Sequence, residues 1–296
     1  MTTSKSPLAV AYAAFIVGKG AFSLWSHERS PHTFTQPQLF ACLVLKEFFT
    51  TDYRGIAAIL QDSSDMRRIL ELNKVPHFTT LQKAAHRLLK QPPVRRLMKK
   101  SLELAERQRI KSKKVSLAAL DGTGFESHHV SKYFVERKEQ TSKPLHYQRF
   151  PKAGIICDTN NHLILCGIPQ RGPKFDYDHF DPALKEATRQ TKIKDLVADA
   201  MYDGEPRHVL ARGIYGIRTI IPAARWRKGA QLPKGKYRKI MATRFNTRLY
   251  GQRWQVETVI SMLKRHLGSF LRARTYFTQC REIMLRLLTH NIMIVQ

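Results

Sequence analysis

The apolar residues of this chain change their spacing once, at Val115, and that change limits the fold more than any other feature. Before it they recur at helical intervals; after it they come in short runs that suit buried strands. Val115 to Leu120 is such a run, ending at Asp121. Ile155 to Asp158 and Leu163 to Ile168 flank Asn160-Asn161 and read as an antiparallel hairpin. A helix over Pro182 to Arg189, a strand over Leu196 to Ala198, a helix over Pro206 to Arg212 closed by Gly213, and a strand over Ile217 to Ile221 follow. A long helix over Tyr250 to Leu267 completes the order. A hairpin followed by α-β-α-β-α predicts an α/β fold, a mixed sheet covered by helices on both faces.

The first 110 residues read as helices with local stop and start signals. Leu39, Phe40, Leu43, Val44 and Phe48 repeat at helical spacing behind a capping Thr35. Thr51 and Asp52 precede a helix over Tyr53 to Leu60, and Asp62-Ser63-Ser64 breaks it and caps Met66 to Leu72. Pro76 ends that segment, and Thr79-Thr80 caps Leu81 to Leu89. The last of these carries Lys83, His86 and Arg87, which suits either a helix-turn-helix or a small bundle with a solvated basic face. Pro92-Pro93 marks a break before a basic helical linker from Arg95 to Lys114. Leu8 to Val17 is apolar over ten residues, too short to span a bilayer, and reads as a buried helix rather than a signal sequence. No run approaches membrane-spanning length, so the sequence predicts no membrane protein.

Charge narrows the choice of partner. The chain holds 51 Lys and Arg against 23 Asp and Glu in 296 residues, a net charge of +28, which favours a polyanion. Between Glu205 and Glu257 there is no acid, but thirteen positive charges: Arg207, Arg212, Arg218, Arg225, Arg227, Lys228, Lys234, Lys236, Arg238, Lys239, Arg244, Arg248 and Arg253. Solvated surfaces mix signs, so a one-signed stretch of this length favours a phosphate backbone. Trp226 and Tyr237 lie within it, either packed or offering faces for an unpaired base. Cys42, Cys157, Cys166 and Cys280 are scattered, without the spacing of a disulfide framework or a zinc site, which fits a reducing cytoplasm. His128-His129 has no ligand partner at suitable spacing and reads as structural.

Three acids stand where chemistry is expected. Asp121 and Asp199 each end a strand, at the carboxyl edge where α/β sheets bind ligands. An acid in such a place can also be a cap or turn residue. Glu257 lies on the long helix, in the spacing Tyr250-x2-Arg253-x3-Glu257-x6-Lys264. Steps of three, four and seven residues keep all four on one helical face. A face made of a Tyr, an Arg, a Glu and a Lys is not a core stripe; it suits one metal-ligating acid among phosphate-binding cations. Three carboxylates from separate elements can hold two Mg²⁺ ions, which together clamp the attacking and leaving oxygens of a phosphoryl transfer.

This set resembles the DDE transposases of bacterial insertion sequences, in the branch marked by the Y-R-E-K helix. The resemblance covers roughly Val115 to Val295 and adds two motifs to the helix: Asp121-Gly-Thr-Gly-Phe125 and Ala198-Asp199-Ala-Met-Tyr202-Asp203. It implies a ribonuclease-H-like mixed sheet flanked by helices over residues 111–296, with a basic insertion around 223–248. Residues 1–110 would be an all-helical DNA-end-binding region. It also implies Asp121, Asp199 and Glu257 as catalytic, metal-binding residues for two Mg²⁺ ions, with Mn²⁺ as a substitute. Tyr250, Arg253 and Lys264 would contact DNA phosphates, and Arg225, Trp226 and Lys228 would belong to the insertion that meets DNA. The expected partners are double-stranded DNA, namely the terminal inverted repeats and the target, and a second copy of the chain on that DNA. Some relatives continue past a final helix like Glu282 to Val295, so a copy shortened at Gln296 would keep the fold and lose activity.

The rival readings share parts of this pattern. Another ribonuclease-H-like nuclease or junction resolvase would use the same carboxylates without joining a cut 3′ end to a target. A domesticated DNA-binding regulator would retain only the N-terminal function. Recombination through a serine or tyrosine nucleophile fits poorly, because no Arg/His set surrounds Tyr250.

Overall fold

The computed structural model describes residues 3–127, 150–172, 175–224 and 231–296. They form two compact units. One comprises residues 1–113, 262–268 and 281–296, the other residues 114–261 and 269–280.

The first unit is helical. α1 (Pro7–Ala21) starts at a Ser6 cap and buries Val10, Ala11, Ala14, Phe15 and Val17. The apolar stretch near the N-terminus is thus a packed helix, and it lies against α2 (Gln36–Phe48). Thr35 closes a capping box at the start of α2: its hydroxyl accepts from Gln38 N, and Gln38 Oε1 accepts from Thr35 N at 2.8 Å. α3 (Tyr53–Asp62) is capped by Asp52 and α4 (Ser64–Ile69) by Ser63, as the sequence predicts. α5 (Phe78–Leu88) begins earlier than the Thr79-Thr80 signal suggests, because the His77 ring rather than a threonine accepts the first backbone N–H. It buries Leu81, Ala84, Ala85 and Leu88, leaving Lys83, His86 and Arg87 exposed. Pro92 and Pro93 do not break a helix. They sit in the first turn of α6 (Gln91–Arg107), where a missing backbone N–H costs nothing.

Lys46, Glu47, Glu282 and Arg286 form a buried charged cluster in this unit. Arg286 donates to Glu282 Oε1 at 2.6 Å and to Glu47 Oε2 at 3.3 Å, and Glu47 also accepts from Lys46. Such groups are tolerated in a core only when paired, and here each charge has an opposite neighbour.

The second unit is built on a five-stranded mixed sheet in the order β3-β2-β1-β4-β5. β1 (Lys114–Gly124), β2 (Pro151–Asp158) and β3 (Ile164–Arg171) form an antiparallel meander. β4 (Lys192–Ala198) and β5 (Arg218–Ile220) add parallel strands on the other side of β1. α7 (Phe180–Gln190) packs on β2, β3 and β4 and buries Phe180, Ala183, Leu184 and Ala187. α8 (Glu205–Val209) continues through a wider turn to Ile214 and leads into β5. α9 (Lys236–Thr243) and α10 (Thr247–Tyr250) precede a 3-10 turn, Gly251–Arg253, and α11 (Trp254–Leu267). α12 (Tyr276–Ile294) closes the chain. The architecture is the expected one: helices first, then a ribonuclease-H-like mixed sheet flanked by helices.

Two elements differ from the sequence reading in ways that matter for the site. β1 does not end at Asp121. It loses β4 as a partner after the pair Leu120–Ala198 but keeps β2 through Gly124, with Asp121 opposite Ile155. The expected helix from Tyr250 to Leu267 is segmented, since residues 251–253 tighten into the 3-10 turn before α11 begins.

Candidate active site at the carboxyl edge of β1 and β4

The register of β1 and β4 places Asp121 and Asp199 side by side. Leu120 pairs with Ala198, and each acid is the next residue along its strand. Asp121 Oδ1 accepts from Gly122 N at 2.8 Å. Asp199 caps the turn Ala200–Tyr202, with Oδ1 accepting from Met201 N at 2.8 Å. Asp199 therefore combines the two roles that the sequence left open, a cap and a carboxylate at the sheet edge.

The third acid arrives from the opposite end of the unit. The 3-10 turn Gly251–Arg253 packs against β1 and β4, which brings the first turn of α11 to their carboxyl edge. Arg253 reaches both acids there: Nη1 lies 3.4 Å from Asp121 Oδ2, and Nη2 donates to Glu257. The side-chain carboxyl of Asp121 is raised from 3.8 to about 6. Burial is the main cause, and the negative charges of Asp199 and Glu257 add to it; the Gly122 N–H and Arg253 oppose it. Two of the predicted acids, Asp199 and Glu257, thus act on the third, Asp121, and the Arg253 guanidinium opposes them. Among the described residues, no three His, Cys, Asp or Glu side chains converge closely enough to hold a metal ion.

Residues 113–292 match the family described as the transposase DDE domain, more than half of the chain. The chain belongs to that family. Among solved structures it is similar to a piggyBac transposase in a synaptic complex with hairpin DNA, at 10% identity and a TM-score of 0.47. That likeness covers 99% of this chain and 75% of the other. No curated protein matches it in sequence. None of the described helices is long and apolar enough to cross a membrane.

The remaining predicted residues of the DDE domain are placed more variously. Tyr250 packs edge-on against Phe245, with ring centroids 5.0 Å apart. Lys264 follows Glu257 by seven residues on α11, in the part of that helix grouped with the helical unit. Arg225, Trp226 and Lys228 lie outside the described residues, as do His128 and His129.

Several groups around the site escaped the sequence reading. Asp176, in the turn Asp176–His179 after β3, lies against the β1 backbone: a methyl group on Gly122 would meet its Oδ1 at 2.7 Å. Gly154, paired with Gly122 across the strands, is crowded in the same way by His179. Glycine is required at both positions for this close approach. Because neighbouring residues of a strand point to opposite faces, Asp176 and Arg253 approach β1 from opposite sides of the sheet. Lys152 donates to Asp176 Oδ1 at 2.7 Å. His179 is lowered to about 4, mainly by burial and further by the Lys152 charge, so it is neutral. The buried Tyr202 hydroxyl is raised by burial and by the charges of Asp176, Asp121 and Asp199.

Asp203 of the second motif and Glu205, two residues past it, both bond to the start of α9. Asp203 accepts from Ala224 N at 2.9 Å and from Arg238 Nη2 at 2.7 Å, and so joins the residues after β5 to α9. Glu205 accepts from Tyr237 N and Arg238 N, each at 3.0 Å, and so caps α9 from a distant point in the chain. Although burial raises it, these backbone donors hold the Glu205 carboxyl below its usual range. The signal was present in the sequence: these are the last acids before the acid-free stretch, directly after Asp199.

Proposed function

We propose that this chain is the transposase of a bacterial insertion sequence, acting in the cytoplasm on DNA, by metal-dependent strand cleavage and strand transfer at the element's ends. The observation that carries this reading is the register of β1 and β4, which sets Asp121 beside Asp199 while Arg253 pairs with both Asp121 and Glu257, in a chain of the DDE family. Carboxylate oxygens are the donors that Mg²⁺ or Mn²⁺ prefers, and in the protein alone the Arg253 guanidinium takes the place of a cation between Asp121 and Glu257. Asp121, Asp199 and Glu257 are the residues that would hold such ions. When bound, two divalent ions supply the Lewis acidity that activates an attacking hydroxyl and stabilises the leaving 3′-oxygen.

The other residues position the DNA. Arg253 neutralises Asp121 and Glu257 in the protein alone. Once those acids hold a metal, its guanidinium is available for a phosphate, the role that the Y-R-E-K spacing assigns to it together with Tyr250 and Lys264. Residues 111–296 act as the catalytic domain and residues 1–110 as the DNA-end-binding region, with Lys83, His86 and Arg87 exposed on α5. The basic insertion around 223–248, with Arg225, Trp226 and Lys228, contacts the same DNA. Two ends must be brought together, so the working assembly is a dimer on DNA.

The test uses DNA carrying the element's own terminal repeats, with Mg²⁺. The wild-type protein should nick these ends and join the freed 3′-hydroxyl to a target plasmid, whereas Asp121→Asn should bind the ends and leave them intact. Cleavage by the variant at the wild-type rate would overturn the assignment. Cleavage without joined products would indicate a nuclease or resolvase instead.

A further inference from the structure

The turn between β3 and α7 carries two aromatic side chains that the packing of the fold leaves in solvent. Phe175 is 61% exposed and Tyr177 38%. Their rings nevertheless stack, with centroids 5.3 Å apart and planes within 9°. The Arg207 guanidinium lies over the Tyr177 ring, 4.7 Å from its centroid. Scattered exposed apolar side chains are ordinary on protein surfaces, but a stacked pair with a guanidinium laid on it is a preformed π surface.

Its position in the fold gives this surface a use. Asp176, the residue between the two aromatics, rests on Gly122, the neighbour of Asp121. Arg207 belongs to the first turn of α8, just after the Asp199 motif, and its Nη1 donates to the Asp203 carbonyl at 3.2 Å. Met201, two residues past Asp199, is another exposed apolar side chain, at 57%. The loops that follow β3 and β4 thus meet at this stack, on the edge of the sheet that carries Asp121 and Asp199.

We propose that Phe175, Tyr177 and Arg207 form a stacking site for an unpaired base of a DNA strand bound at the carboxyl edge of the sheet. An exposed aromatic face accepts any base, because every base has a π face, and the guanidinium adds attraction for both the ring and the adjoining phosphate. The excess of 51 basic over 23 acidic residues draws a nucleic-acid strand rather than an uncharged aromatic ligand. An enzyme working on the end of a duplex must hold bases that have lost their partners, and a rigid platform lowers that cost. This inference rests on the proposed function in taking DNA as the substrate, and it places base stacking on residues other than Trp226.

The experiment measures binding in EDTA, so that it does not depend on cleavage. Fluorescence anisotropy is read for a single-stranded oligothymidine of about 12 nucleotides, within the usual site size, and for a fully paired duplex of equal length. Phe175→Ala and Tyr177→Ala should each weaken single-strand binding by about 5- to 150-fold, the equivalent of ~1–3 kcal/mol per stacked base. Duplex affinity should stay unchanged, which also reports that the variants are folded, and Phe175→Trp should retain single-strand binding. Equal losses on both DNAs, no loss on either, or no single-strand binding by the wild-type protein would overturn the proposal. Failure of the strand-cleavage reading would show separately, as a wild-type protein that keeps this binding pattern yet cuts nothing when Mg²⁺ is added.

Discussion

Asp121→Asn should stabilise the metal-free protein, and the gain should depend on pH. In the unfolded chain the carboxyl titrates near 3.8 and in the folded protein near 6. A raised folded value means that the carboxyl's contribution is fully favourable below pH 3.8 and is lost as the pH climbs through about 6. Above that, the folded protein carries an ionised group that it holds less well than water does. The gap between the two values corresponds to at most about 3 kcal/mol. Asp121 is 19% exposed and its Arg253 contact is long at 3.4 Å, so solvent screening and the loss of that contact both reduce the gain. The expected net effect at pH 8 is about 1–2 kcal/mol in favour of the variant. Asn is nearly the same shape and can still accept from Gly122 N, so little else changes. Urea unfolding of both proteins in EDTA, from pH 4 to pH 8, reads the difference directly. The two stability curves should converge near pH 4 and separate through pH 6, and adding Mg²⁺ at pH 8 should raise the wild type towards the variant. Parallel curves across the range would refute the argument, and so would a variant that loses ground as the pH rises.

Asp203→Ala should cost about 3–5 kcal/mol, because it leaves Arg238 and the Ala224 N–H without their shared acceptor. The same variant should be cut by trypsin faster than wild type between Arg225 and Lys236, as seen by mass spectrometry of early fragments; unchanged cleavage would mean that Asp203 does not hold this segment. Arg286→Ala should be comparably damaging to the helical unit, by about 3–5 kcal/mol, since it removes one of the two cations of a buried four-charge cluster and leaves Lys46 alone to face Glu47 and Glu282. Arg286→Met together with Glu282→Gln, which leaves the buried Lys46–Glu47 pair intact, should recover most of that loss in thermal unfolding, and failure to recover would place the stabilising effect outside the Arg286–Glu282 pair.

The sequence determined the elements whose causes are local. Helix starts at Thr35, Asp52 and Ser63 follow from side chains that bond to backbone groups within three residues, and such bonds need no distant partner. The Asn160-Asn161 turn fixes the hairpin for the same reason. The order of strands and helices after Val115 then leaves few architectures open, and the mixed sheet is one of them. Only the tertiary structure decided the rest. β1 runs past Asp121 because β2, some thirty residues later, is still there to pair with it. Arg253 also reaches Asp121 because its turn packs on β1 and β4, a contact that the helical spacing between Arg253 and Glu257 does not reveal. Asp203 reaches Arg238 across 35 residues, and Phe175 meets Tyr177 and Arg207 only where two loops converge. Periodicity and caps are properties of a few consecutive dihedrals, whereas where a strand stops and which charge answers which depend on chain segments brought together by folding.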